Sequence, residues 1–424
     1  MRKVWFTVVL VSVWVGEASP WEEITVDRFS GLGARAMGMG GAYMAVAEDF
    51  TATYWNPAGL AQIRRFELYG GLCQRQDAAT VSFYGSPWHD SLTRTTSDPL
   101  GMVLPVPTYR GSLVFSVGYL PVKVFDNLFG VKGVSRESGR YKEGRAEDEG
   151  GLGVYTVAGA IDISPSTSLG ATLEIWRGSD SFSQELFSRS LSSATWSEIK
   201  QGLGSPQDTS VSYYKLEFED RYSSFGVKVG ALFRMVGGFR AGLAVSSPVH
   251  LKVEEDWEEA RDDTVDSGSF SYHVHLPWTI DGGISWTAPG LATVGVGISY
   301  SDWTQTRYDE SPEEGITNED FRRRYRATTR LHLGGEVLLP IIPVRVRGGY
   351  YRDPIPFLGP REEGGPKVEV VDERDYWTFG VGVLIDKVLS LDLAYVRGKF
   401  AQEEGSITEE HKLTRIFLSA AYRF

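Results

Sequence analysis

Beyond about residue 60, large apolar side chains fall on every second position. In Thr293–Tyr300, Val294, Val296, Ile298 and Tyr300 alternate with Thr293, Gly295, Gly297 and Ser299. Positions i and i+2 share one face of a strand, so this segment has one greasy face and one small, polar face. Trp377, Phe379, Val381, Val383 and Ile385 repeat the pattern, as do Phe225, Val227, Val229, Ala231 and Phe233. Leu331, Leu333 and Val337 alternate with His332, Gly334 and Glu336, and Val344 and Val346 with Arg345 and Arg347. The alternation predicts strands over 66–74, 98–107, 111–121, 151–163, 166–177, 222–235, 238–247, 277–288, 291–303, 325–339, 342–352, 375–386, 389–398 and 411–424. Residues 78–84 read as a further strand or as a hairpin carried on a loop.

The spacers are sorted. Short ones (Ser164–Ser166, Gly237–Gly238, Ala288–Gly290, Leu339–Ile342, Asp386–Lys387) alternate with long polar ones over 121–150, 178–221, 248–276, 304–324, 353–374 and 399–410. Tight turns at one end and long loops at the other are the layout of an all-β, transmembrane up-and-down antiparallel barrel, here of about 14 strands. A soluble sandwich would use the greasy face as its core, but it gives no reason for sorted connections. Lys228, His332, Glu336, Arg345, Arg347 and Asp392 all fall on the small, polar face. A charge facing the bilayer midplane costs about 2–4 kcal/mol, so these six are candidate lumen residues and the greasy face meets lipid. Trp278, Trp286, Trp303, Trp377, Tyr300 and Tyr350 lie near strand ends, where interfacial girdles place amphipathic rings.

Both ends of the chain agree with an outer-membrane destination. Arg2 and Lys3 precede an apolar stretch from Val4 to Val15, then Gly16 and Ala18 at small-residue spacing. That is the pattern of a secretory signal peptide over residues 1–18; a retained N-terminal anchor is the alternative. Leu418, Ala420, Tyr422 and Phe424 alternate and end on a terminal aromatic, like the closing strand by which barrels engage the assembly machinery. The net charge of -12 excludes a general nucleic-acid binder. The single cysteine, Cys73, excludes an internal disulfide and a cysteine-rich zinc site.

The mature chain opens differently. Gly33-Ala34-Arg35-Ala36-Met37-Gly38-Met39-Gly40-Gly41-Ala42 is too small and glycine-rich for a lipid-facing strand. A phosphate loop is excluded, because no Gly-Lys-Ser/Thr follows a strand. A compact plug suits it, since glycine lets backbone pass close to backbone in a crowded lumen. Asn56-Pro57 fixes a turn, and 45–54 reads as a short helix. This block, with Val46-Ala47-Glu48-Asp49 and Tyr54-Trp55-Asn56-Pro57-Ala58-Gly59-Leu60, resembles the N-terminal hatch of the FadL-type fatty acid and hydrocarbon transporters of Gram-negative outer membranes. Leu276-Pro277-Trp278, Ser301-Asp302-Trp303-Thr304, His332–Glu336, Val346–Tyr350 and Tyr422-Arg423-Phe424 are weaker likenesses to its later hairpins.

The resemblance implies a signal peptide at 1–18, a hatch at 19–64 and a 14-stranded barrel at 65–424 in the outer membrane. It implies passive passage of a hydrophobic small molecule, such as a long-chain fatty acid or hydrocarbon, with sideways release and without cofactor or energy source. Gly38, Gly40, Gly41, Asn56, Pro57 and Ala58 are then the candidate gating residues. Phe125, Leu128, Phe129, Phe357 and Leu358 are candidate apolar vestibule residues, with lipid anchors or packed loop cores as alternatives. Partners are the hydrophobic ligand, outer-membrane lipid and lipopolysaccharide, and the barrel-assembly machinery through Phe424. The same block also resembles PorV-type barrels, which leaves open a role as a partner in protein secretion or envelope assembly.

Other constellations are weaker. The acidic run Glu254, Glu255, Asp256, Glu258, Glu259, Asp262 and Asp263 reads as a solvated loop or a hard-cation site. His273 and His275 form a pair at i, i+2 that lacks a third metal ligand. Arg322-Arg323-Arg324 at a loop–strand junction suits lipid phosphates or an ion-pair network. No nucleophile-elbow or zinc-protease motif is present, and no catalytic residue is assigned.

Overall fold

A computed structural model describes residues 29–136, 139–189, 211–310, 318–357, 368–404 and 406–424. The expected signal peptide and the first part of the expected hatch lie outside the described residues. Among the described residues eighteen strands form one sheet. They are β1 (Glu67–Phe83), β2 (Ser86–Val106), β3 (Leu113–Val124), β4 (Asn127–Val134), β5 (Tyr141–Ser164) and β6 (Thr167–Arg189). Next come β7 (Val211–Arg234), β8 (Phe239–Ser246), β9 (Val249–Arg261), β10 (Thr264–Leu276), β11 (Thr279–Ala288) and β12 (Ala292–Asp302). The remainder are β13 (Arg307–Tyr308), β14 (Ala327–Leu338), β15 (Val344–Asp353), β16 (Val368–Ile385), β17 (Leu389–Glu404) and β18 (Ile407–Arg423). Three wall strands are interrupted, between β3 and β4, β8 and β9, and β10 and β11, and β13 is a two-residue bridge. The wall is therefore a closed antiparallel barrel of 14 strands. It closes where β1 pairs with β18, from Glu67 opposite Arg423 to Phe83 opposite Ile407.

Two of the interruptions carry prolines. Pro248 separates β8 from β9 and Pro277 separates β10 from β11, on adjacent wall strands. Proline has no N–H to donate, so both ladders lose a rung at one level.

The greasy face points out. Val294, Val296, Ile298, Phe225, Val229, Trp377 and Phe379 are all exposed. On the opposite face Lys228, His332, Glu336, Arg347 and Asp392 are buried. An exterior of this kind requires hydrocarbon around it, which places the chain in an outer membrane as a multi-pass barrel.

The short turns fall where expected, but the long polar spacers largely do not form loops. β1 and β2 continue to a tight turn at Tyr84-Gly85, where both residues have positive φ. Likewise β5, β6, β7, β9, β10, β17 and β18 run on through 141–150, 178–189, 211–221, 249–276, 399–404 and 407–410. These extensions rise above the lipid, so their outer face is polar and the period-two contrast that marks a lipid-facing strand is lost, while the ladder itself persists. The acidic run belongs to β9 and its turn, with Lys252–Glu254 at 2.5 Å, Arg221–Asp256 at 2.7 Å and Arg261–Glu259 at 2.6 Å. One further reading is corrected. Trp303 is not in the girdle: alternation ends at Asp302, which caps a 3-10 turn at Trp303–Gln305, and the buried indole donates to Thr328 Oγ1 at 3.1 Å. Arg322–Arg324 end a short helix (Asn318–Arg324) in which Arg323 pairs with Glu319.

One extension carries a titratable core. His411 lies between Asp77 (3.1 Å) and Glu409 (3.5 Å), with its ring stacked on Phe400. Burial alone would push its pKa down, but the two carboxylates outweigh it and hold it at about 9. A raised folded-state value stabilises fully below the unfolded value of about 6.5 and is lost as pH rises through 9. Amide exchange in the β17–β18 hairpin is expected to quicken between pH 7 and pH 10, and His411→Gln to flatten that dependence. A wild-type profile no steeper than the variant's refutes the assignment.

Candidate functional site: the hatch, its cavity and a seam in the wall

Residues 29–63 fill the lumen almost without exposure, Met37, Met39, Tyr43, Phe50, Ala58 and Leu60 among them. The expected helix over 45–54 is reduced to one turn. Asp49 accepts from Tyr43 Oη at 2.8 Å and Thr51 N at 3.0 Å, which fixes a bend and leaves only Ala52–Trp55 helical; an earlier turn of helix spans Ala34–Gly38. Asn56 then caps a 3-10 segment, Pro57–Gln62. Its Oδ1 accepts from Ala58 N at 3.1 Å, and its amide donates to Met44 O at 3.1 Å and Ala231 O at 3.0 Å. One side chain thus shapes the hatch turn and ties it to β7.

Among the bonds that hold the hatch to the wall, three groups stand out. At the start of the described chain, Phe29 N donates to Asp353 at 2.9 Å, and Arg415 donates to the Phe29 and Ser30 carbonyls, each at 2.9 Å. In the middle, His332 Nδ1 donates to Gly40 O at 2.8 Å and Thr378 Oγ1 to Gly38 O at 3.1 Å. The third is ionic. Arg35 grips Glu336 through two nitrogens, at 3.0 and 3.2 Å, and reaches Glu48 at 2.9 Å. Arg347 joins Glu336 (2.6 Å) to Asp392 (2.7 Å), and Arg345 stands 3.7 Å from Glu336.

The structure thus brings five of the six lumen candidates to one side of the hatch. Lys228 meets the hatch separately, 3.1 Å from Asp281 and over the Tyr54 ring. Pattern alone assigned no role to Arg35, Glu48, Asp353 or Arg415; a lone charge inside a small-residue run was the only signal. Removing one partner of a buried pair typically costs about 3–5 kcal/mol. Arg347 still faces Glu336, so Arg35→Met is expected to loosen the hatch without unfolding the wall. The readout is faster proteolysis within 29–63 and raised ion conductance in planar bilayers, with the heat-modifiable gel shift of the barrel retained.

Against the hatch lies a cavity of about 150 Å³, lined by Phe29, Met44, Tyr54, Trp55, Trp176 and Trp303, with Lys228, Glu174, Asp281 and Arg330 among its polar groups. Those polar groups already have partners: Lys228 and Ser299 meet Asp281, Trp176 donates to Glu174 at 3.2 Å, and Arg330 pairs with Asp353 at 2.7 Å. A guest therefore meets aromatic faces together with polar groups already satisfied by one another. The vestibule candidates lie elsewhere: Phe125, Phe129 and Phe357 are buried in packed clusters, Leu128 is buried, none of the four lines this cavity, and Leu358 lies outside the described residues. His275 pairs with Asp309 at 2.6 Å while His273 is exposed, so the two do not converge.

The wall is incomplete beside the hatch. β2 pairs with β3 only from Leu100 to Val106, and its residues Ser86–Pro99 have no partner on that side among the described pairings. β3 is bulged between Pro121 and Lys123 and breaks at Phe125-Asp126 before β4 resumes against β5. Across this seam Arg94 reaches Asp126 at 2.9 Å and also pairs with Glu149. Leu92, Arg94, Val124 and Asp126 enclose a small space that reaches Ser30 of the hatch, while Val122 and Lys123 line the larger cavity.

A closed wall with an apolar exterior, an interrupted edge and a folded plug defines a plugged outer-membrane barrel. Among solved structures the chain is similar to a Pseudomonas aeruginosa FadL homologue, at TM-score 0.65 and 16% identity over 93% of this chain and 99% of that one. It is similar also to the Pseudomonas putida toluene transporter TodX (0.63, 16%, 94% and 100%) and to the Ralstonia pickettii toluene transporter TbuX (0.55, 13%, 94% and 99%). The fold is therefore that of the FadL-type barrels. No family model and no curated protein matches the sequence.

Proposed function

We propose that the chain is a passive outer-membrane channel for hydrophobic compounds, gated by the hatch and releasing its cargo sideways through the β2–β3 seam. The observation that carries this reading is the aromatic-lined cavity, which lies between the hatch and the broken strand. A guest of benzene size suits about 150 Å³, and apolar area leaving water there contributes about 25 cal/mol per Å². Of the two cargo classes, long-chain fatty acids and hydrocarbons, a cavity of this volume favours a small hydrocarbon; a long acyl chain would have to extend beyond it. Solved barrels of this fold include toluene transporters, in keeping with that preference. No bond-making step enters the reading: the residues here bind, exclude water and move aside.

Trp55, Trp176 and Trp303 line the site, so tryptophan fluorescence of the detergent-solubilised protein reports on binding directly. Saturable quenching by toluene, lost in Trp55→Leu/Trp176→Leu, is the expected result. Proteoliposomes are expected to pass toluene to an interior reporter faster than empty vesicles. Neither toluene nor oleate binding or passing would overturn the reading, and a stoichiometric envelope protein captured by the same preparation would then favour the secretion-partner role.

A further inference from the structure

On the outer wall, away from the hatch and the seam, two glycines stand side by side facing the membrane. Gly335 of β14 is opposite Gly348 of β15, and the row continues outward to Val294 on one side and Phe379 and Tyr395 on the other. A Cβ on Gly348 would meet nothing. The two glycines lie on the floor of an open trough of about 1120 Å³, walled by Leu333, Tyr350, Trp377 and Phe379. It is about seven times the volume of the hatch cavity.

The rows above the trough change character. One rung up, Tyr350, Trp377 and Arg397 lie abreast on β15, β16 and β17; the next rung holds Arg352, Asp375, Lys399 and Lys412. A rung of one face is two residues, about 7 Å along the strand. Lys399 and Lys412 are direct cross-strand partners, and like charges directly opposite are destabilising unless an anion joins them. Their carboxylate partners, Asp372 and Glu410, are themselves about half exposed. Arg397 makes no ion pair or hydrogen bond with a described residue. All three cations lie toward the end of the barrel that bears the long hairpins, which is the outer-leaflet side.

We propose that this face binds lipopolysaccharide, with a lipid A phosphate on Arg397, Lys399 and Lys412 and acyl chains in the trough below. Arginine gives phosphate two parallel N–H donors and the lysines add point charge. The indole of Trp377 and the ring of Tyr350 sit between head group and chains, where amphipathic rings belong. Cations that span two strands, together with room for several chains, fit a phosphorylated multi-acyl lipid better than a two-chain zwitterionic one. The inference does not depend on the transport reading.

The test uses the full-length barrel in mild detergent and purified hexa-acylated lipid A, read by native mass spectrometry and thermal shift. One lipid A is expected to bind in preference to phosphatidylethanolamine. Removal of its phosphates is expected to weaken binding at least tenfold, as is Arg397→Gln/Lys399→Gln/Lys412→Gln in the protein. Gly348→Trp fills the trough and is expected to weaken binding similarly with the basic row intact. Both variants change only exterior residues, and retention of the heat-modifiable gel shift verifies folding. Equal affinity for phosphatidylethanolamine, unchanged binding in the two folded variants, or occupation of this face by a second barrel would each overturn the proposal.

Discussion

Gly349→Val is expected to turn the closed barrel into a constitutively leaking one, while Gly348→Ala beside it leaves conductance unchanged. The two residues are consecutive on β15 and face opposite ways. A Cβ on Gly348 would enter open space, whereas one on Gly349 would overlap the backbone of Met39 and Gly40 in the hatch. Gly40, at φ 62°, is itself pressed against the Leu333 carbonyl and the Tyr350 backbone, so the contact between hatch and wall has no slack here. Over-packing an interior typically costs about 1–3 kcal/mol when flexible side chains absorb it; here backbone faces backbone on both sides. The wall is held by ladders on either edge of β15, so the hatch is the part that moves. Planar-bilayer recordings are expected to show conductance rising at least tenfold over wild type, with the gel shift of the folded barrel intact. Conductance equal to that of Gly348→Ala would show that the hatch does not seal the lumen.

The legibility of this molecule follows where physics writes a contrast into the chain. In the belt, one face meets hydrocarbon and the other meets polar groups, so Val294 to Tyr300 or Trp377 to Ile385 declare both strand and orientation. Above the belt the outer face is polar and the lipid-facing stripe is lost, and 249–276 or 399–410 read as loops although their ladders are unbroken. The hatch was legible as a block because close backbone approach demands glycine and alanine. Its latches were not, because Arg35 meets Glu336 and Phe29 meets Asp353 across about 300 residues of sequence. The luminal face of Lys228, His332, Glu336, Arg347 and Asp392 followed from alternation alone; which of them touches the hatch depended on register. Trp303 shows the limit of extrapolating a period past its end, since Asp302 caps a turn and directs the indole inward.

Tethering the seam is expected to separate binding from release. Arg94 and Asp126 face each other between the unpaired stretch of β2 and the break after β3. The native thiol, Cys73, is buried; in Arg94→Cys/Asp126→Cys the shortening of Arg94 uncovers position 126, and the two new thiols are joined by a short bismaleimide. Cross-linked protein is expected to quench with toluene as the wild type does, because no residue of the tether lines the hatch cavity. Transfer of toluene into the surrounding bilayer is expected to fall to the rate of empty proteoliposomes, and the uncross-linked double variant to match or exceed wild type, since the Arg94 bridge that spans the gap is gone. The geometry forces this division. Cargo on the hatch has polar, ion-paired groups beneath it, Arg35, Glu336 and Arg347 among them, and burying a hydrocarbon against such groups strips them of hydrogen-bonding partners at a cost of order 1–3 kcal/mol each. Sideways motion runs past Val122 and Val124 and through the gap that the Arg94–Asp126 pair spans, and then meets lipid. Full transfer through the tethered barrel would instead route the cargo downward past a displaced hatch, and the β2–β3 gap would then be a feature of the wall with no part in release.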